Sequence, residues 1–296
     1  MRRGHSVFIV CWLLLCYGSL SAKPENNRDS LHILSVGNNT MTISAQTGGR
    51  ILSFTCNGKE LLLPSSVHEV NYGATLWPSP QSDWGWPPYE VLDTDPYHVS
   101  FDGGELVLRS KPDTVSGYLF QKRFRVSTGD TAVNIEYSIY NMSSQVKQVA
   151  AWDVCRTAGG LCFFPVGEDA ELPASSLESV KEENGILWYH FHKSLLSEPQ
   201  KLFSTAREGW LAYLKDGLLF VKTFPDTYVS ELAPGQGEVE IFAQKDGLYI
   251  ELENHGPYTT LKPGEHLTYC EKWYLKEVDR SLVPDVLVEI VRELVK

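Results

Sequence analysis

Apolar and polar residues alternate along most of the chain. In "TAVNIEYSIY" the apolar residues Val133, Ile135, Tyr137 and Ile139 share one face, and polar residues occupy the other. Alternation with a period of two predicts a half-buried β-strand. The pattern recurs in segments such as "GRILSFTC", "KQVAAWDV", "LLFVKTF", "LYIELE" and "LTYCEKWYL", separated by turn residues as in "STGD" and "KPGE". The sequence therefore predicts an all-β fold, one large antiparallel β-sandwich.

The C-terminal segment "SLVPDVLVEIVRELVK" follows the period of a helix instead. Its apolar residues recur at the i, i+3, i+4 spacing of an amphipathic helix: Val283, Val286, Leu287, Ile290, Val291 and Leu294. Pro284 suits a first helical turn. We expect a short terminal helix that packs as a cap, and an irregular acidic excursion between strands over residues 167–184.

The first residues have the layout of a secretory signal peptide, with two arginines, an apolar run over residues 7–17 and small residues after it. The apolar run is too short to span a membrane. We expect cleavage near Ser21 or Ala22 and export to the periplasm or the exterior, with lipid attachment at Cys16 as the alternative. The predicted organisation is a signal peptide over residues 1–22, a flexible segment over 23–30 and a single β-sandwich domain over 31–296.

Cleavage would change both the charge and the cysteine count. It removes two of 26 basic residues and none of the 37 acidic ones, so the formal net charge changes from −11 to −13. Such a charge disfavours nucleic acid and anionic membranes as partners. Four cysteines would remain: Cys56, Cys155, Cys162 and Cys270. An oxidising compartment permits disulfides among them, and buried free thiols are the alternative.

Tryptophan and proline are concentrated in "YGATLWPSPQSDWGWPPYE", residues 72–90. Prolines at this density predict an irregular loop, because proline is excluded from helix interiors and central strands. Trp77, Trp84 and Trp86 could stack on sugar rings with their indole N–H groups free for hydroxyls, and Gln81, Asp83 and Tyr89 would supply polar contacts. In the alternative interpretation, the loop folds back and plugs one end of the sandwich.

The segment "GEVEIFAQKDGLYIELENHG" predicts a β-hairpin around its Asp-Gly turn. A two-residue loop places Glu240 opposite Glu253 and Phe242 opposite Glu251, which leaves one face apolar and the other rich in glutamate. Opposed like charges destabilise a sheet. Either this face is hydrated, or it lines a pocket where one carboxylate has a raised pKa and exchanges a proton with a sugar hydroxyl. A calcium site is a third option, although the sequence has no EF-hand loop.

Other polar residues are further candidates for the site. Asp153 and Arg156 follow a tryptophan at the end of one predicted strand, where they pair with each other or bracket a substrate hydroxyl. His255 lies just after Glu253 and could be an acid partner. His190 and His192 form a His-x-His pair without an evident third ligand, so we expect no metal ion. The sequence has neither a glycine-rich phosphate loop nor a G-x-S-x-G elbow, and we expect no cofactor.

Three segments resemble the galactose mutarotase-like superfamily, the aldose epimerases and their relatives. They are "TGGRILSFTCNGKELL", "YGATLWPSPQSDWGWPP" and "GLYIELENHGPYTTLKPGEHLTYCEKWYL". The resemblance covers nearly the whole mature chain and is closest to a secreted bacterial branch. It implies a β-supersandwich whose concave face binds a sugar.

The resemblance also implies roles for single residues. Epimerases of the superfamily use a glutamate base and a histidine acid. The glutamate carries over to Glu253, with Glu251 as a near rival. No histidine matches, because Trp152 and Asp153 occupy that neighbourhood, and Asp153 could act as the acid only with a strongly raised pKa. Tyr72 stands where the hexose-phosphate epimerases have a phosphate-holding arginine, so a phosphosugar is not implied.

The sequence thus leads to three hypotheses. The first is a secreted isomerase that acts at the anomeric carbon of a sugar with Glu253 as base. The second is a carbohydrate-binding protein without turnover, and the third is a glycoside-cleaving enzyme that uses two of the carboxylates. In each, the expected partner is a mono- or oligosaccharide, with no nucleic acid and no membrane span, and the protein is expected to be a monomer.

Overall fold

The computed structural model describes residues 31–167 and 172–296. Within these residues, antiparallel strands form two ten-stranded sheets, and one helix of eleven residues follows near the C-terminus. The predicted all-β sandwich with a C-terminal helix is confirmed. The predicted signal peptide and flexible segment lie outside the described residues, and they stay predictions.

Sheet 1 contains ten strands from both halves of the chain. They are β1 (Leu31–Val36), β2 (Asn39–Ser44), β3 (Arg50–Cys56), β4 (Lys59–Glu60), β5 (Ala74–Ser79), β10 (Lys147–Thr157), β14 (Gln200–Ser204), β17 (Val239–Ala243), β18 (Ile250–His255) and β19 (Thr259–Leu261). The strand order is β1-β2-β3-β5-β10-β18-β17-β14, with β4 paired to β3 and β19 paired to β10. Strands distant in sequence therefore become neighbours at the centre of the sheet.

Sheet 2 contains the other ten strands. They are β6 (His98–Asp102), β7 (Glu105–Arg109), β8 (Tyr118–Ser127), β9 (Ala132–Asn141), β11 (Leu161–Pro165), β12 (Val180–Glu183), β13 (Ile186–His190), β15 (Trp210–Lys215), β16 (Leu218–Thr223) and β20 (His266–Glu277). Their order is β12-β13-β11-β15-β16-β20-β9-β8-β7-β6. β12 lies in the segment predicted to be irregular, where its pairing with β13 provides the order that the acidic sequence did not indicate.

The hydrophobic core fills the space between the two sheets. Phe54 of β3 approaches Phe220 of β16 and Trp273 of β20 with ring centroids 6.2 and 6.1 Å apart. All three rings are buried. Aromatic pairs at such distances add to the stabilisation from burial alone, so this contact helps hold the sheets face to face.

In the part of the chain that the structure describes, two α-helices accompany the sheets. The predicted terminal helix is α2 (Pro284–Leu294), with proline in its first turn and Leu287, Val288 and Val291 buried. A second, short helix, α1 (Glu90–Asp93), was not predicted. Short 3-10 segments cover Gln81–Asp83, Lys193–Leu195 and Val229–Glu231.

The start of the tryptophan-rich segment is a strand, so the prediction of a wholly irregular loop was wrong there. Trp77 and Pro78 belong to β5, which pairs along its length with β10. On its other side, β5 pairs with β3 only at Ile51 and Ala74. Proline has no N–H to donate, and a strand tolerates it where one margin lacks a partner.

Four of the six cysteines lie in the described residues and are free thiols, with Cys56, Cys155 and Cys162 buried and Cys270 exposed. Of the two alternatives, the structure thus matches free thiols. None of the helices in residues 31–167 and 172–296 has the length and apolar character needed to cross a membrane.

Candidate functional site

Sheet 1 brings candidate residues from five strands onto one face. The registers place Trp77 opposite Trp152 and Trp152 opposite His255. In the next rows, Glu253 lies opposite Glu240, and Glu251 lies between Arg156 and Phe242. The last pairing confirms the hairpin register predicted around the Asp-Gly turn. The glutamate-rich face is not hydrated as a whole, because Glu240 and Glu253 are both 0% exposed.

Asp153 lies on the opposite face of β10, towards sheet 2. Its carboxylate accepts hydrogen bonds from Tyr137 (2.8 Å) and from Lys222 (2.7 Å). Neighbouring residues of a strand point to opposite faces, so Asp153 cannot share a hydroxyl with Arg156. The structure contradicts both the predicted Asp153–Arg156 pair and a role for Asp153 in the site. Asp153 instead neutralises a lysine in the core between the sheets.

Glu253 is held by two donors and retains a free oxygen. Its Oε2 accepts hydrogen bonds from Trp152 Nε1 at 2.7 Å and from Lys201 Nζ at 3.1 Å. Its Oε1 is buried and has no hydrogen-bond partner among the described residues. A buried acceptor without a partner destabilises the empty site, and it marks a position where a ligand hydroxyl would bind.

Lys201 joins the two opposed glutamates. Its Nζ lies 2.5 Å from Glu240 Oε2 in addition to its contact with Glu253. Glu240 Oε1 accepts a backbone hydrogen bond from Gly237 and lies 3.5 Å from His255 Nε2. The positive charge of Lys201 explains how two carboxylates can face each other across neighbouring buried strands.

The environment separates the proton affinities of these glutamates. Burial raises the pKa of Glu253 to about 8, against the opposing charge of Lys201. Burial also disfavours ionisation of Glu240, but His255 and Lys201 outweigh it and lower the pKa to about 2. Burial lowers the pKa of His255, against the opposing charge of Glu240. Carboxyl groups with divergent pKa values are typical of acid–base sites.

The cluster has the ligand types of a metal site but already contains a cation. Ligand atoms of Glu240, Glu253 and His255 lie within 4.8 Å of one another. Lys201 is bound to both carboxylates, and its pKa is raised because their charges outweigh the effect of burial. An ammonium group in this position repels a divalent ion, so the arrangement does not fit a metal centre while Lys201 is in place.

Arg156 is fully buried and only partly paired. Its Nε donates to Glu251 Oε1 at 2.8 Å, and its guanidinium carbon lies 4.9 Å from the centroid of the Trp77 ring. In the described residues, neither Nη1 nor Nη2 has a hydrogen-bond partner. Two buried donors in a fixed fork suit the oxygens of a polar ligand.

The tryptophans pack on one another more closely than the sequence suggested. Trp77 contacts Trp84, Trp86 and Trp152 with ring centroids 5.9, 5.9 and 5.1 Å apart. The indole nitrogen of Trp77 donates to Asp93 at 2.9 Å, and that of Trp84 donates to the Pro78 carbonyl at 2.8 Å. The expectation of free indole N–H groups is therefore wrong for these two residues. Trp86 remains 56% exposed.

The other predicted contact residues occupy the rim and the base of the cluster. Gln81 Nε2 donates to the Gly85 carbonyl at 3.2 Å, within its own loop. Tyr89 lies beside Trp84 with ring centroids 6.2 Å apart. His255 is buried, stacks on Trp152 at 5.0 Å and contacts Ser79 Oγ through Nδ1 at 3.0 Å. The sequence thus identified residues that assemble, although His255 supports Trp152 and does not face solvent.

Several functional candidates were missed from the sequence. Lys201 contacts the cluster from β14, 52 residues before Glu253, and Asp93 contacts it from α1, 16 residues after Trp77. Arg50 pairs with Asp93 at 2.9 Å and thereby fixes the acceptor of the Trp77 indole. No local pattern marks these residues, because their partners become neighbours only through sheet topology.

Glu253 is closed off from solvent in this arrangement. The side chains of Lys201 and Glu251 remain 25% and 11% exposed, respectively, and they are its nearest links to the surface. Depressions of about 450 and 510 Å³ lie elsewhere, beside Arg123 and beside Tyr213. We favour the closed cluster as the functional site because its unpaired buried groups and shifted pKa values converge there.

Solved structures show the same fold at low sequence identity. A putative aldose 1-epimerase from Escherichia coli K12 is 12% identical with a TM-score of 0.53, and the match covers 84% of this chain and 99% of that one. A galactose mutarotase-like protein from Lactobacillus casei is 11% identical with a TM-score of 0.57, covering 83% and 100%. The fold of this chain is therefore galactose mutarotase-like, as the sequence resemblance implied.

A longer protein also contains this fold. A TPR-domain containing protein from Parabacteroides distasonis is 16% identical with a TM-score of 0.60. The match covers 86% of this chain, which spans about half (49%) of that protein. No curated protein matches the chain. A family model described as a domain of unknown function (DUF4380) matches residues 32–276, and the chain belongs to that family.

Proposed function

We propose that this member of the DUF4380 family binds a sugar against the tryptophan cluster and interconverts its anomers, with Glu253 as the proton-accepting group. The observation that carries the proposal is the buried Glu253 carboxyl with one unpaired oxygen and a pKa near 8. A group with such a pKa exchanges protons readily near neutral pH. The names of the solved neighbours, putative aldose 1-epimerase and galactose mutarotase-like protein, support the same chemistry.

The proposed reaction uses residues that already contact one another. Glu253 in its ionised form takes the proton of the anomeric hydroxyl, and the C1–O5 bond breaks as the C1 carbonyl forms. The Lys201 ammonium stabilises the negative charge that develops on the ring oxygen, which takes a proton from water. The hydroxide that this leaves takes the proton back from the O5 hydroxyl when the ring closes again. Rotation of the aldehyde and reversal of these steps give the other anomer. Trp152 holds Glu253 in place through its 2.7 Å hydrogen bond.

Sugar binding without turnover is the second candidate. It is favoured by Lys201, which binds both Glu240 and Glu253 and resists giving up a proton. Asp153 faces the core between the sheets, where it is bound to Lys222 and cannot reach the ring oxygen of a sugar on the other face. In this case, Arg156 and Glu253 would bind hydroxyls and the anomeric ratio would relax at its uncatalysed rate.

Polarimetry of freshly dissolved aldoses separates the two candidates. We expect the isomerase to accelerate the change in optical rotation and to do so more strongly as the pH rises towards 8, because the ionised fraction of Glu253 grows. The uncatalysed rate at each pH is subtracted. Binding detected by calorimetry without acceleration would establish the second candidate, and release of reducing sugar from a glycan would support the glycoside-cleaving hypothesis.

A further inference from the structure

The aromatic cluster extends from Glu253 to the surface. Trp152 donates to Glu253 and is 2% exposed, and Trp77 packs on it and is 5% exposed. Trp86 contacts Trp77 at 5.9 Å between centroids and is 56% exposed. The half-buried Trp84 and Tyr89 extend the cluster on one side. The exposed fraction of the tryptophan side chains thus increases from the Glu253 carboxyl outwards. Such a series is expected where more than one sugar ring stacks on the aromatic cluster.

The outer end of this series is held in place by its own hydrogen bonds. The backbone N–H groups of Trp84 and Gly85 both donate to the Gln81 carbonyl, at 3.1 and 2.8 Å. The Trp84 indole is fixed by the Pro78 carbonyl. A preformed platform lowers the entropic cost of binding, because fewer groups must be ordered by the ligand.

Polar residues accompany the exposed ring in the same loop. Asp83 and Tyr89 lie three residues before and three residues after Trp86, and Asp83 is exposed whereas Tyr89 is half-buried. Both can bind hydroxyls beside an apolar ring. Such a mixture of rings, a phenol and a carboxylate suits a neutral sugar.

We infer that the tip of the loop over residues 81–89 is a second sugar-binding position, and that the natural ligand is a neutral oligosaccharide. Its terminal residue approaches Glu253 and Arg156, which become accessible only when the side chains that cover them move, and a following residue stacks on Trp86. The inference rests on the proposed function, since it extends the same site. The loop contains an aspartate and neither lysine nor arginine, which disfavours an anionic membrane surface as the partner.

The experiment measures affinity against chain length by isothermal titration calorimetry. The probes are glucose, galactose and mannose, each compared with its oligosaccharides from the dimer to the pentamer: cello-, malto-, galacto- and manno-oligosaccharides. We expect at least one series to bind about ten-fold more tightly as the oligomer than as the monomer. Trp86→Ala should abolish this gain, because it should weaken binding of the oligomer much more than binding of the monomer. Phe101→Ala is the matched control, because Phe101 is 68% exposed on edge strand β6 of sheet 2.

The outcomes distinguish this inference from the proposed function. The second position is refuted if monomers bind and oligomers bind no more tightly, or if Trp86→Ala weakens both equally. A gain with chain length without any catalysed anomer exchange would support the second position and contradict the isomerase. If none of the probes binds, both the second position and the proposed sugar site are contradicted.

Discussion

Substitution of Glu253 by glutamine tests the protonation argument directly. Glutamine retains nearly the same shape and keeps an oxygen that can accept the hydrogen bond from Trp152, but it cannot take a proton. General acid–base groups typically contribute about 100- to 10,000-fold to a rate. We therefore expect Glu253→Gln to lose the catalysed component of anomer exchange by at least about 100-fold, while sugar affinity changes little.

The same substitution has a defined effect on stability. The pKa of Glu253 is raised from 4.5 to about 8 in the folded protein. Between pH 4.5 and about 8, the folded state thus holds a proton that the unfolded chain has released. Wild-type stability therefore falls as the pH rises through this range. One pKa unit equals about 1.4 kcal/mol, so the shift corresponds to about 5 kcal/mol at most. We expect Glu253→Gln to gain at least about 2 kcal/mol relative to wild type between pH values of about 5 and 9.

Glu271 provides a matched control on the other sheet. Its Oε2 accepts a hydrogen bond from Trp273 Nε1 at 2.7 Å, and burial followed by the charge of Asp153 raises its pKa to about 8. Glu271→Gln should show the same pH-dependent gain in stability without any effect on sugar. Urea denaturation at several pH values measures stability, and polarimetry and calorimetry measure rate and affinity.

Two results would refute the reasoning. One is a stability difference between Glu253→Gln and wild type that is the same at pH values of about 5 and about 9. Glu253 would then already be ionised at the lower pH, and burial would not control its pKa. If Glu271→Gln abolishes anomer exchange as completely as Glu253→Gln, the loss reflects folding and not a lost proton acceptor.

Three further predictions test separate parts of the structure. Lys222→Met leaves the buried Asp153 without its cation and should destabilise the protein by about 3–5 kcal/mol in urea denaturation; a cost below about 1 kcal/mol would contradict the pairing. Gly73→Ala places a Cβ 2.2 Å from the Ile51 carbonyl at a φ of +62° and should cost at least about 2 kcal/mol, whereas Gly58→Ala, at a φ of +77° with open space, should cost about 1. Arg156→Lys removes the donor fork and should weaken sugar binding about ten-fold in calorimetry without loss of fold; unchanged affinity would exclude Arg156 from the site.

Patterns within one segment predicted local structure well. The Asp-Gly turn and the alternation around it fixed the pairing of Glu240 with Glu253, because a shift by one residue would have moved every apolar side chain to the wrong face. The i, i+3, i+4 spacing predicted α2 because it places the apolar side chains on one face of a helix. In both cases the interacting residues are close together in the sequence.

Relations between distant segments could not be predicted in this way. Lys201 reaches Glu253 from edge strand β14, and Asp93 reaches Trp77 from α1. The two faces of β10 were also indistinguishable, because that strand is buried on both sides and carries Trp152 outwards and Asp153 inwards. Which of these polar residues serves the site depends on what covers each face, and the sequence of the strand alone does not contain that information.

The separation of β3 from β5 after Ala74 also limits how other molecules can associate with sheet 1. A peptide that adds to a sheet needs a regular row of donors and acceptors along a margin. Pro78 interrupts that row with a residue that has no amide hydrogen. The margin next to Trp77 is therefore protected from strand addition and from edge-to-edge aggregation, and ligands near it must be recognised by side chains.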